Sequence, residues 1–262
     1  VWKPHLQVET EDEVLRDDLR GMWAIMVKDL RAYYFKPPNI SWGILFPFAF
    51  VLAFVIRAGG AEDRAGDLSG LVPGLLALTL LFGTSSMEAI VITFERRIGA
   101  LERLLLAPLR LPALLAGKLL GGMVFGLATT TVVLAVALAV FGAAGVHWAL
   151  LIGAMLLSAA AFSALGALIS VAVVEVFEAQ TLANAFRFPM MFLGGVFVPV
   201  TSLPPWLRVV ARVLPLTYAV EAMRAAMGDG DVSRAALDLL VLAAFTVVLF
   251  VLASRTLARR VE

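Results

Sequence analysis

The stretch ITFERRIGALERLLLAPLRLPALLAGK (Ile92–Lys118) decides how this chain is read. It lies between two long apolar runs and carries five of the chain's 21 basic residues: Arg96, Arg97, Arg103, Arg110 and Lys118. Ile98, Leu101 and Leu105 repeat at the spacing of one helical face, with Glu95, Arg96, Glu102, Arg103 and Arg110 on the others. Pro108 disfavours a helical residue before it, so the spacing predicts about three turns of helix over 95–107. Pro112 then starts a new one. A short rigid helix held at both ends by membrane-crossing neighbours acts as a lever, because force on it must move them. A solvated loop that serves only topology is the competing reading.

The flanks settle the environment. Of 262 residues, 61% are hydrophobic and 16% charged, against about 45–50% and about 25% in soluble domains. The chain therefore needs a non-aqueous surrounding. A crossing helix takes about 20 mostly apolar residues. Six segments approach that: Ser41–Ile56, Leu71–Phe94, Leu119–Phe141, Trp148–Val174, Phe177–Val198 and Ala235–Ala253. The fifth is interrupted by Arg187 and Pro189. Six crossings put both termini on one side. Lys28, Arg31, Lys36, the five basic residues of the quoted stretch, and Arg255, Arg259 and Arg260 then share a side. The opposite side has Arg57, Arg64, Arg208, Arg212, Arg224 and Arg234. The excess of cations marks the cytoplasm, so the termini are expected inside, in the plasma (inner) membrane. The opening residues VWKPHLQVETEDEVLRDDLR show no signal-peptide pattern.

Several chemistries drop out. The chain has no cysteine and only two histidines, His5 and His147, so thiolate catalysis is excluded and a metal site is not expected. A net charge of +1 and the lack of an aromatic stacking face between Glu95 and Lys118 argue against nucleic acid. LAGKL is no phosphate-binding loop, since Pro112 and Leu119 stand where glycine and Ser or Thr are needed. No ATP site is expected in this chain.

Before the first span, Leu15, Leu19, Met22, Met26, Leu30 and Tyr33 form a helical stripe with Arg16, Asp17, Arg20, Lys28 and Arg31 largely off it. Residues 1–40 thus read as a cytoplasmic arm with an amphipathic helix, lying on the lipid bilayer or packing on a partner. Residues 41–262 read as one all-α integral membrane domain. Between its last two spans, 199–227 is too polar to cross and too apolar for a free loop, which predicts a helical hairpin half in the outer leaflet.

Two charges fall inside spans. Arg187 is near mid-membrane and Glu88 about 9 Å from the inner end of its helix. Such ions face a partner or a wet cavity. Three outcomes are open: Glu88 and Arg187 pair within or between protomers, Glu88 stays protonated, or Arg187 reaches toward the interface. Phe186, Phe188, Phe192 and Phe197 surround Arg187 and supply an aromatic surface. Glu175 and Glu178 at the inner turn between spans four and five are expected to be hydrated, with a minor second docking point as the alternative.

ERRIGALERLLLAPLRLPALLAGKLL resembles the cytoplasmic loop of ABC-2 type transport permeases, with their E-R-x-x-G-x-L-E-x-L-x-x-x-P…GK pattern. Ala100 and Ala107 depart from it. FPMMFLGGVFVPVTSLPPWLRVVARVLPLTYAVEAMRAAM (Phe188–Met227) resembles the late block of the same family, with Gly194 in a usual serine place. The resemblance implies the membrane half of an ATP-driven exporter. Glu95, Arg96, Arg97, Ile98, Gly99, Leu101, Glu102, Arg103, Leu104 and Leu105 would form a coupling helix docking on a separate ABC ATPase. That subunit would hold ATP and Mg and do the hydrolysis. Two permeases, as a homodimer, and two ATPases would make the working unit. Glu88, Arg187, Phe186 and Phe192 would flank the path. The implied cargo is an amphipathic drug, a lipid-like molecule or a glycolipid; polysaccharide export and an ion-coupled secondary transporter are the alternatives.

Overall fold

The computed structural model describes residues 11–36, 49, 70–107, 109–142, 145–228 and 231–261. Its elements are helical, with no strand among the described residues. α1 (Glu11–Asp29) runs into a π-helical turn, Leu30–Tyr34. There follow α2 (Val72–Arg97), α3 (Ala100–Leu105), α4 (Leu111–Phe141), α5 (Trp148–Ala172) and α6 (Val176–Leu193). α7 (Pro205–Ala211), α8 (Pro215–Ala226) and α9 (Val232–Val261) complete the chain.

Among the described residues, α2, α4, α5 and α9 are the helices long and apolar enough to cross a membrane. The first expected span, Ser41–Ile56, lies outside the described residues apart from Ala49. The fifth, expected over Phe177–Val198, is α6, whose 18 residues include Pro189 and the buried Arg187. It ends at Leu193, and residues 194–199 leave the helix. Pro73 and Pro112 each occupy the first turn of a long helix, where a missing N–H leaves no bond unmade. At 31 residues α4 extends about 46 Å, more than a hydrocarbon core of about 30 Å, so its ends emerge.

α2 is the central helix, packed by α4, α5, α6 and α8, and α5 is flanked by α2, α4, α8 and α9. Leu76, Leu80 and Leu81 of α2, Phe162 of α5 and Leu216, Val220 and Met223 of α8 are shut away in one core. Lipid offers apolar helices no hydrophobic drive to associate, so close approach through small residues matters. α4 offers it on two sides. A Cβ at Gly117 would sit 2.9 Å from the Met22 backbone, so α1 lies directly against α4 there. A Cβ at Gly122 would sit 2.7 Å from Glu88 Cγ, so α2 lies against the other side.

Within 199–227 lie two short helices, α7 and α8, joined by bonds from Thr217 Oγ1 to the Ala211 carbonyl and from Tyr218 O–H to that of Arg212. α8 is buried along its core face, whereas Trp206 and Val209 of α7, and Val213 just after it, are exposed.

Gly117→Ala is expected to destabilise the protein by about 1–3 kcal/mol, the usual cost of overpacking, because the Met22 backbone cannot yield. Gly153→Ala, whose Cβ would meet only Leu239 at 3.8 Å, is expected to be neutral or slightly stabilising. Thermal unfolding in detergent compares the two.

Candidate functional site

The C-terminal ends of α2, α5 and α9 and the N-terminal end of α4 converge around α3. α2 keeps helical bonding as far as Ile98 N–H to the Phe94 carbonyl (3.1 Å) and then turns at Gly99, whose φ of 69° lies in the left-handed region glycine tolerates best. The six-residue α3 follows. This corrects the sequence expectation of one helix over 95–107. Glu95, Arg96 and Arg97 belong to the last turn of α2, and α3 is a separate short element. Gly99 carries the break, because a left-handed residue cannot continue a right-handed helix.

The segment divides by exposure. Leu101 is 2% exposed and packs with Ile25 of α1, Ile92, Leu114, Leu115 and Leu257, with Leu104 and Leu105 half-buried beside it. Arg97, Ile98, Glu102, Arg103 and Leu106 face outward, with Ile98 51% and Leu106 86% exposed. Two apolar knobs with charges between them therefore stand on a base that is itself core.

That base is tied to its neighbours. Arg97 pairs with Glu175 at 2.7 Å, and Arg96 donates to the Val173 carbonyl. Glu175 and Glu178 cap the first turn of α6 reciprocally, so these carboxylates have structural work beyond hydration. Arg260 of α9 donates to the Ala172 carbonyl at 3.0 Å, which brings the C-terminal end of α9 to the same end of the bundle.

Glu95 is fully buried and takes no part in the exposed face. Its Oε2 accepts from Lys118 of α4, and its Oε1 accepts from Lys28 of α1 at 2.5 Å. Lys118 also donates to Asp29 Oδ2 at 3.1 Å, and Lys28 lies 2.8 Å from Asp29 Oδ1. Two cations and two carboxylates from three helices thus share one site. Lys118, Glu95 and Asp29 are each at most 1% exposed at the side chain, Lys28 39%. Burial raises the Asp29 carboxyl above its usual range, against the pull of Lys118. Burial would lower Lys28, but hydrogen bonds and charge from Asp29 and Glu95 outweigh it and raise the ammonium. Sequence reasoning missed this cluster. Asp29 beside the apolar stripe, and Lys118 between Gly117 and Leu119, were its signals.

α1 itself divides. Leu15, Leu19 and Trp23 are exposed, whereas Ile25 and Met26 are buried. On the far side of α3, the Arg110 backbone N–H donates to Asp18 Oδ1 at 3.3 Å.

Glu88 and Arg187 are not brought together within the chain. Glu88 accepts from Tyr34 O–H at 2.9 Å and from Gly122 N–H at 3.0 Å. Arg187 donates to Ser86 Oγ, to the Ala183 carbonyl at 3.1 Å and to Asn184 Oδ1 at 3.0 Å. Its guanidinium lies 4.9 Å from the centre of the Phe82 ring. Ser86 and Glu88 are two residues apart on α2, about 200° around the helix, so they look in nearly opposite directions. Matching depth was not enough. Phe186, Phe188 and Phe192 are exposed on α6, and Phe188 meets Phe82 edge-on at 6.4 Å.

An all-helical bundle with long apolar helices and a short elbow at one end defines a multi-pass membrane protein. The profile of the family described as ABC-2 type transporter matches residues 20–227, well over half the chain, and the chain belongs to that family. It is 29% identical over 220 residues to the inner membrane transport permease YadH of Escherichia coli (strain K12), covering 79% of this chain and 81% of the relative. It is 26% identical over 224 residues to the daunorubicin resistance ABC transporter permease protein DrrB1 of Streptomyces coeruleorubidus, covering 80% and 74%. A shorter match, 38% identical over 81 residues, is to nodulation protein J of Sinorhizobium fredii and covers 31% and 30%. This chain is a transport permease of the ABC-2 type.

Leu101→Ala is expected to cost about 2–5 kcal/mol of stability, as for a buried leucine. Ile98→Ala and Leu106→Ala, at exposed positions, are expected to stay within about 0.5 kcal/mol of the parent. Thermal or denaturant unfolding of the three variants checks the division.

Proposed function

We propose that this chain is the membrane subunit of an exporter driven by ATP hydrolysis on a separate ABC-type ATPase, and that the outward face of residues 97–106 is where that ATPase docks. The single observation that carries the reading is the pairing of two exposed apolar side chains, Ile98 and Leu106, with a core-anchored Leu101 beneath them. A free loop has no reason to bury one leucine and present another five residues on at 86% exposure. Apolar anchors with a charged rim suit a protein partner. ATP and Mg belong to that partner in this reading.

The working unit is two permeases and two ATPases. The exposed face of α6, with Phe186, Phe188 and Phe192, supports a role as the wall of a path at the contact between permease copies. Aromatic and aliphatic side chains dominate it, which favours an amphipathic, drug-like or lipid-like cargo. The name of the Streptomyces relative, a daunorubicin resistance permease, points the same way. The cation distribution and the inner-membrane relative support an inner-membrane location with both termini in the cytoplasm.

Co-purification with the cognate ATPase tests the docking face. Ile98→Asp together with Leu106→Asp should reduce ATPase capture at least roughly tenfold, in the range of lost interface anchors, with the unfolding midpoint unchanged. Full capture by that variant would remove the proposed face. Phe186→Ala with Phe192→Ala should reduce stimulation of ATP hydrolysis by amphipathic compounds while leaving unstimulated hydrolysis in place; equal stimulation would take α6 out of the path.

A further inference from the structure

A transport permease must convert displacement at its docking turn into displacement of its spans, and the charges of Lys28, Asp29, Glu95 and Lys118, all but Lys28 buried, lie directly behind that turn. They join three elements distant in sequence: α1, the last turn of α2 and the first half of α4. A buried ion pair adds little net stability over apolar side chains of the same size, yet separating its members is strongly unfavourable. Such a cluster therefore holds position better than it holds a fold together. Its resistance to sliding is large because attraction between charges is little screened where water is excluded.

The clamp acts on both sides of the turn. Before it, Glu95 is held by Lys28 and Lys118. After it, the Arg110 backbone N–H is held by Asp18, and a Cβ at Gly21 would press into the Leu109 side chain. Between them, Leu101 packs in one cluster with Ile25. Both flanks of the turn and its buried leucine therefore contact α1, alongside the ties of Arg96 and Arg97 to residues 173 and 175.

We infer that the four-charge cluster fixes α1 and the docking turn into one body that moves as a unit through the transport cycle, with Glu95 and Lys118 as positioning residues for the turn. This rests on the reading of residues 97–106 as the ATPase-docking face. It assigns α1 a mechanical part beyond attachment to the membrane surface, and it gives Lys118 a role that its place inside a long apolar helix does not suggest.

Two arms test it on the full complex in lipid. Glu95→Met combined with Lys118→Met removes one buried pair and leaves Lys28 beside Asp29, a replacement that folds generally accept. This variant should capture the ATPase as the parent does and hydrolyse ATP, while cargo moved per ATP falls at least tenfold. Transport per ATP within twofold of the parent overturns the inference. The second arm does not depend on the variant's folding. The natural chain has no cysteine, so Asp18→Cys with Arg110→Cys can be bridged by a short bis-methanethiosulfonate reagent. Transport by the bridged and reduced forms should agree within twofold. Loss on bridging that a reductant restores means that α1 moves against the turn, and overturns the inference. ATPase capture separates the two readings. An unmodified chain that captures no ATPase overturns the docking face and this inference with it, whereas normal capture with either adverse result overturns this inference alone.

Discussion

Glu95 cannot be placed in an apolar bundle by itself, and most of the end of the bundle that carries α3 follows from how that charge is answered. A lone carboxylate in such a site would cost several kcal/mol. Lys118 answers from α4 and Lys28 from α1, and the second cation then needs Asp29. The result is electrically neutral, as two cations against two anions must be. It also fixes three helices at one corner, so the emergence of the chain at Gly99 occurs at a defined place. The left-handed glycine and the buried Leu101 then set how α3 leaves the bundle.

α4 allows the charges to meet. Gly117 and Gly121 bring α1 close, and Gly122 and Gly126 bring α2 close on another side, so a single helix separates its neighbours by little more than backbone thickness. Larger residues there would push α1 and α2 outward, and Lys118 could not hold carboxylates on both. The Glu88–Tyr34 bond, with Gly122 N–H as second donor, repeats the arrangement deeper in the same seam. Small residues and buried polar groups thus work together: the first permit approach, and the second select one register from those that close approach allows.

Arg187 follows a different solution. Its donors are used by a serine, a backbone carbonyl and an asparagine, with Phe82 beneath the guanidinium, so no carboxylate is needed to hold it. An arginine can be buried in this way because its planar, delocalised charge is weakly hydrated and lies readily against an aromatic face. It also stiffens α6 against α2, the helix that ends just before Gly99. The exposed phenylalanines of α6 are therefore displayed from a helix anchored to that same element.

Long apolar runs, the charged interruption at 92–118 and its cation bias are linear properties, so the helical class, the placement of α2, α4, α5 and α9, and membership of the ABC-2 type family were legible in the residue order. So was the stripe on α1, because helical periodicity is local. What the order of residues left open is direction around each axis and proximity between distant elements. Glu88 and Arg187 share a depth but look away from each other, since a two-residue offset turns a side chain by about 200°. Glu95 reads as one more charge on the helix expected over 95–107, and only the approach of α1 and α4 shows it to be buried. A partner 23 or 67 residues away in the chain carries no local signature, because what pairs buried charges is the packing of helices, decided by the whole bundle at once.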